Sequence, residues 1–219
     1  DIAFNALDNG IKKLTRESNK HLEVSCEPTL TMRWLMPRLA SFFRLTGIDV
    51  RLSTAGGPVD LNETGLSLAI RRDDFDISPE YTAHNLVNEW VGPVFSPEYW
   101  RKSQNNLGDI VLLHSETRPS AWSDWSSRSK HTFYTNKSKS FEHFYFCLQA
   151  AVDGLGAAIG SYPLIVDDLK SGRLVAPFGF TQSGHKYVLL SHTERLGSNE
   201  LEFLTWLEKT MSLCQPETP

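Results

Sequence analysis

The sequence is poor in the features that would fix its chemistry quickly. It holds only three cysteines, Cys26, Cys147 and Cys214, odd in number and far apart. None belongs to a CxxC pair, so neither a disulfide framework nor a zinc site is indicated. Such scattered thiols favour a reducing compartment, and a cytoplasmic location is expected. No run of 18 apolar residues occurs, which argues against a membrane-spanning helix. The opening "DIAFNALDNGIKK" lacks the pattern of a signal peptide. Basic charge is also scarce: 22 Lys and Arg stand against 26 Asp and Glu, a net charge of −4. A domain that gripped nucleic acid by its phosphates would carry a basic face. The densest basic stretch, Arg128 to Lys139, is interrupted by Ser, Thr and Tyr and reads as a solvated loop.

Catalytic signatures are missing too. There is no GxSxG nucleophile turn, and no enzymatic activity is expected. "GLGAAIG" (Gly154, Gly156, Gly160) has the wrong spacing for a dinucleotide loop and follows a helix, so tight packing explains it better. His143 and Cys147 lie four apart and could face one metal, but no further ligands converge on them. No cofactor or metal is therefore expected.

What is present is a grammar of alternating strands and helices. Phe4, Leu7, Ile11 and Leu14 mark one face of an opening helix, either the tail of a longer one or a plain surface helix. "HLEVSC" alternates as a strand, and Met32, Leu35, Met36, Leu39 and Phe43 recur at helical spacing. "IDVRLST" is a second strand, and "VDLNETG" a short helix with a capping-box spacing from Asp60 to Glu63. "LSLAI" is a third strand, and "NLVNEWVGPVF" a longer one ended by the turn-like "SPEY". This β-α-β-α-β order implies parallel strands in an open α/β sheet.

A second unit repeats the grammar. Strands are expected at "DIVLLH", "HTFYTN", "LGAAIG", "RLVAPF" and "HKYVLLSH". Helices are expected at "AWSDWSSR", "SFEHFYFCLQAAVDG", "PLIVDDLKSG" and "SNELEFLTWLEKTM", the last capped by Ser198 with Leu204, Leu207 and Met211 inward. Trp122 and Trp125 either pack their helix or stack on a ligand. If the last strand and helix return to the first unit, the chain crosses between lobes twice, near Ser96–Tyr99 and near Gly184–Tyr187. A ligand would then lie in the cleft, at the carboxyl ends of the strands.

Pro37, inside the first long helix, removes an N–H donor and is tolerated only near a helix start or at a kink. Either way, Thr29 and Thr31 occupy the strand-to-helix junction, where free amides can hold an anion or one threonine can simply cap the helix.

Taken together, "WLMPRLASFF…IDVRLST…VDLNETGLSLAIRR…FSPEYW" and "LQAAVDGLGAAIGSYPLIVDDLKSGRLVAPF" resemble the effector-binding domain of LysR-type transcriptional regulators. The likeness is greatest to the branch that regulates glycine cleavage, D-serine deaminase and AmpC β-lactamase. It implies two Rossmann-like lobes joined by two crossover strands, as in type II periplasmic-binding-protein-like domains. The corresponding divisions are a linker-helix remnant at 1–19, lobe I at 20–97 and 187–219, and lobe II at 98–186.

The resemblance further implies a small-molecule effector, polar and anionic or amino-acid-like, and a homodimer or tetramer. Promoter DNA would be met only through an N-terminal winged helix-turn-helix outside this sequence, with RNA polymerase as a further candidate partner. Carried over by position, the effector site would draw on Thr29, Thr31, Thr54, Ala55, Phe95, Ser96, Phe141, His143 and Tyr187. Its hydroxyls and helix tips suit a carboxylate, while Phe141 and Tyr187 would supply apolar walls. His143 would bond a carboxylate or read pH, or else sit exposed in a first helical turn. Where the family usually has Gly-x-Asp before the third strand, this chain has Ser67, which weakens any charge pairing expected with Arg71 or Arg72. The reading from a different class is a solute-binding protein that serves a transporter.

Overall fold

A computed structural model describes residues 21–61, 65–192 and 196–216. The expected opening helix and linker remnant lie outside the described residues, as does Glu63 of the expected capping box.

Strand β1 (His21–Cys26) runs into helix α1, which is continuous through Pro28–Leu30, a π-helical stretch Thr31–Leu35, and Met36–Thr46. The π stretch accounts for Pro37. Proline has no N–H and its ring crowds the carbonyl four residues back, and one wider turn just before it relieves both problems. Met36 N–H accordingly reaches back five residues to the Thr31 carbonyl. Gly47, at φ 71°, closes the helix in the left-handed conformation that glycine adopts freely.

The wider turn also changes which face is buried. Trp34, Leu35 and Phe42 go inward without exposure, whereas Met32, Met36 and Phe43 are more than half exposed. The expected inner face was therefore right at Leu35 and wrong at these three, because the sequence carries apolar residues on two sides and the extra residue per turn re-phases them.

Strand β2 (Asp49–Thr54) and β3 (Leu68–Arg72) both pair parallel with β1, as the β-α-β order requires. The long β4 (Tyr81–Val94) comes next, then α2 (Pro97–Ser103). "SPEY" is thus a helix start, with Ser96 as its cap. After it come β5 (Leu112–Ser115), α3 (Ala121–Ser129), β6 (Ser138–Phe141), α4 (Phe144–Val152), β7 (Ala157–Ser161) and α5 (Tyr162–Lys170). The chain ends in β8 (Thr181–His192) and α6 (Ser198–Met211), whose cap is Gly197, one residue before the expected Ser198.

Two expected strands are corrected. "HTFYTN" does not pair: Phe133 and His131 instead pack against Trp122, Trp125 and Phe178, and pairing with β5 begins only at Ser138. "RLVAPF" makes one isolated bridge, Val175 to Phe95.

The strands form one sheet in the order β2-β1-β3-β8-β4-β7-β5-β6. It is a mixed α/β fold of two lobes joined by crossover strands, and β4 and β8 are those strands. At its start β4 pairs with β8 alone, whose end in turn pairs with β3; from Val91 onward it also pairs with β7. The first crossing therefore lies within β4, earlier than the expected Ser96–Tyr99. The second lies where β8 bulges between Gln182 and Lys186, next to the expected Gly184–Tyr187.

Each lobe has its own aromatic core. In the first, Phe42 of α1 meets Phe203 and Trp206 of α6 at ring distances of 5.2 and 4.9 Å. Full burial of a side chain such as Phe42 contributes roughly 1.5–3 kcal/mol. In the second, Phe95, Trp122 and Trp125 pack with Trp100, Phe133 and Phe178. Trp122 also donates to the Leu113 carbonyl at 2.9 Å. Packing is thus what the two tryptophans do. Gly156 and Gly160 bear out the tight-packing reading: an added Cβ would meet Val111 O at 2.4 Å and an Ile165 methyl at 2.7 Å, respectively.

Candidate functional site

Strands β1, β3, β5 and β6 all end at the same place, the groove between the lobes. Polar residues stand at each of these ends: Glu27 after β1, Arg72 at the tip of β3, Thr117 and Arg118 after β5, and His143 after β6. The groove has two compartments, of about 430 and 460 Å³, within the range of small-molecule sites. They share a wall of Arg72, Asp74, Thr117, Arg118 and Phe144. One extends along Val91, Ile159, Asp124, Arg128 and His185. The other extends between Pro28, Thr29 and the Gly56–Gly57 turn on one side and His143 and Tyr145 on the other.

Beneath the shared wall lies a buried ionic network. Glu89, in the middle of β4, has no solvent exposure. Its carboxylate accepts from Arg72 Nε at 2.8 Å and from Arg118 Nη1 at 2.7 Å. Arg118 also donates to the Tyr187 hydroxyl at 3.1 Å, lies 4.0 Å from Glu27, and stacks 4.2 Å over the Phe144 ring. Tyr187 O–H in turn contacts Ser161 at 3.2 Å and Glu89 at 3.4 Å.

A buried carboxylate must be paired or neutralised. Burial pushes Glu89 up, but the Arg118 and Arg72 charges outweigh it and hold the carboxyl down at about 2. Burial likewise works against the Arg118 charge, and Tyr187, Glu89 and Glu27 more than offset it, so its pKa is raised. Burial pushes the Tyr187 phenol up despite Arg118. The network is therefore charged, with Tyr187 as a neutral donor. Its bulged support is anchored by Asp73, which accepts from Lys186 N–H at 2.9 Å.

Of the nine residues expected at the site, the groove is lined by Thr29 and His143. Thr31 turns inward and donates to the Glu27 carbonyl at 2.9 Å. Thr54 and Ala55 end the edge strand β2 and are exposed; the Gly56–Gly57 turn just after them reaches the groove. Phe95 is buried in the second lobe's aromatic core, and Ser96 caps α2 beside a separate hollow. Both lie beyond the crossing because β4 changes lobes early. Phe141 packs against the main core, and Tyr187 lies under the floor of the groove without solvent exposure. The free amides expected at the helix tip are also partly taken: Pro28 has none, and Leu30 N–H is held by the Glu27 carboxylate at 2.8 Å.

A family model described as "LysR substrate binding domain" matches residues 15–212. The chain belongs to that family. Among curated relatives of this LysR-type domain, the HTH-type transcriptional regulator TrpI of Pseudomonas aeruginosa is 33% identical over 85% of this chain and 66% of its own length. The regulators PerR and DsdC of Escherichia coli are 28% and 29% identical, over 96% and 89% of this chain and 73% and 67% of their own. The chain thus spans about two thirds of the length of these LysR-family proteins. Among solved structures, the effector domain of the regulator AmpR of Pseudomonas aeruginosa has a TM-score of 0.71 at 27% identity, over 89% of this chain and 96% of that one. The regulatory domain of CrgA from Neisseria meningitidis, at 19% identity and a TM-score of 0.66, shares the fold over 87% of this chain and 98% of its own. In this family the chain is a regulatory domain of the effector-sensing kind and not an enzyme. Among the described residues, no helix is long and apolar enough to cross a membrane.

The residues that motif reasoning missed are Glu27, Arg72, Glu89 and Arg118. One signal was there to be read: Glu89 stands alone in the apolar run "LVNEWVGPV", and an acid inside a buried strand needs a cation opposite it.

Proposed function

We propose that this LysR-type domain senses a small polar molecule, anionic or amino-acid-like, held in the inter-lobe groove. The observation that carries this reading is Arg118. It stands on the second lobe, yet its partners Glu27 and Glu89 are on β1's end and on the crossover strand, so one side chain ties the lobes at the groove wall. A ligand that contacts Arg118 binds the closed arrangement better than an open one and shifts the balance between them. Residues 1–19 would carry that shift through a linker helix to a DNA-binding winged helix-turn-helix in the cytoplasm, with RNA polymerase as a downstream partner. Lobe I would comprise 20–97 and 187–219, and lobe II 98–186, apart from the end of β4.

The same protein would act as a dimer or tetramer. The exposed apolar stripe Met32, Met36 and Phe43 on α1 supports self-association, because apolar side chains aligned on one helix face are characteristic of interaction surfaces. Family membership favours a regulator over the solute-binding protein of a transporter.

The test is a thermal-shift screen of small carboxylic acids, amino acids and cell-wall fragments. A ligand should raise the melting temperature of the wild type and leave Thr117→Trp, which fills the wall common to both compartments, unshifted. Equal protection of both proteins would refute the groove as the sensing site.

A further inference from the structure

The groove's charges are not evenly matched. Its acids are all engaged: Glu27 by Leu30 N–H, Glu89 by Arg72 and Arg118, Asp74 by Arg72, and Asp124 by the Ser120 hydroxyl. Among its arginines, Arg72 and Arg118 have carboxylate partners, whereas Arg71 and Arg128 have none within 4.0 Å among the described residues; Arg128 is exposed to water and Arg71 is not. Arg71 is only 1% exposed, yet it lines the compartment beside the Gly56–Gly57 turn. Its guanidinium donates to neutral acceptors alone: Gly57 O at 3.0 Å, Ile70 O at 3.0 Å and Ser25 Oγ at 2.7 Å.

A guanidinium cannot shed its proton to escape this situation, and burying a charge without a counter-ion is costly. Burial indeed works to lower the Arg71 pKa, with Glu27 the one carboxylate that acts on it from a distance. An Asp in place of Ser67 would not supply that partner: Ser67 precedes β3 and lies four residues before Arg71, roughly 13 Å away along an extended strand.

The rest of the compartment has a distinct character. His143 and Tyr145 stack at 5.3 Å with planes 20° apart, and Phe144 backs the shared wall. Opposite them, Gly56 leaves open space, with nothing within 4 Å of where its Cβ would be.

Resting on the effector-sensing reading above, we infer that this compartment receives a small carboxylate that bears a flat or apolar arm, its acid group against Arg71 and its arm between the Gly56–Gly57 turn and the His143–Tyr145 rings. Arg71 is then a specificity determinant: it demands an acid where an amide of the same shape would leave the guanidinium uncompensated.

The experiment titrates phenylacetate and L-phenylalanine, each against its own amide, into the full chain and follows binding calorimetrically. At least one acid should bind about tenfold or more tightly than its amide. The preference should vanish in Arg71→Gln and return in part in Arg71→Lys. Gly56→Trp, which fills open space without disturbing the core, should abolish binding while leaving the melting temperature within about 2 °C; should Arg71→Gln not fold, this variant and the amide comparison decide. Equal affinity for acid and amide, an acid preference that survives Arg71→Gln or Gly56→Trp, or no binding of any of the four probes would overturn the inference. A ligand from the broader screen that is lost in Ser120→Trp but kept in Gly56→Trp would also overturn it, yet leave the effector-sensing reading standing. No ligand of any class would count against both.

Discussion

Two polar assemblies join the lobes, one inside the groove and one on the outer face, and they are built on opposite terms. Inside, the buried Glu89 and Tyr187 and the half-buried Arg72 and Arg118 are joined in one network centred on the Glu89 carboxylate. Outside, α1 meets α5 through Arg33 with Asp168 and Arg38 with Asp167. The Arg38 pair is bidentate, at 2.9 and 2.8 Å, but its side chains are 21% and 45% exposed. Water competes at that pair and not at Glu89. The inner network therefore fixes one arrangement of charges, whereas on the outer face the Arg38–Asp167 pair can part and re-form at little cost, unlike Arg33–Asp168, whose side chains are 13% and 4% exposed. The proposed closure on a ligand would use that contrast: a stiff pivot at the crossover strands and a yielding contact at Arg38–Asp167.

The contrast is sharpest at Glu89. Its replacement by Ala leaves the Arg72 and Arg118 guanidinium groups facing each other with little exposure and no shared carboxylate, and should cost about 3–5 kcal/mol in chemical denaturation. The same group sets the acid limb of stability. Its folded-state pKa, about 2, is below the ordinary 4.5, so its contribution is complete above pH 4.5 and is lost as pH falls toward 2. The loss over that window should be roughly 3 kcal/mol, and Glu89→Gln should flatten the slope.

On the outer face the effects should shrink. Asp168, 4% exposed and flanked by Arg33 and Arg173, should lose about 1–3 kcal/mol as Asp168→Asn. Arg38→Gln should cost less than about 1 kcal/mol, within reach of added salt. If the order were reversed, with Arg38 mattering more than Glu89, the stiff-pivot picture would be wrong.

The sequence made the architecture legible where period and punctuation agreed. The parallel trio β1, β2 and β3 followed from alternating strands separated by helical spacing, and Leu204, Leu207 and Met211 face inward as their spacing requires. It was less legible where apolar residues had more than one use. Phe133 could have alternated in a strand but packs on Trp122, and Met32, Met36 and Phe43 look like core until the π stretch turns them outward. The groove was the least legible part. Thr29 and His143 line it, but its charged residues come one at a time from four separate segments, and only the fold brings them together. Tyr187 was placed on the groove wall, and a tyrosine's polar tip is as easily spent holding a buried ion pair beneath it.

If a ligand in the groove draws the lobes together, an inter-lobe distance reports it directly. Spin labels at Asp49→Cys and Lys139→Cys, on the exposed outer strands of the two lobes, suit pulsed dipolar spectroscopy. Cys26, Cys147 and Cys214 are all buried, with the Cys26 and Cys147 thiols pushed up by burial to about 12, and should stay unlabelled. With a saturating ligand identified by the screen, the distance distribution should narrow and move to shorter values, and Thr117→Trp should abolish the change. A distribution that the ligand leaves unmoved, at full occupancy, would contradict lobe closure as the sensing event.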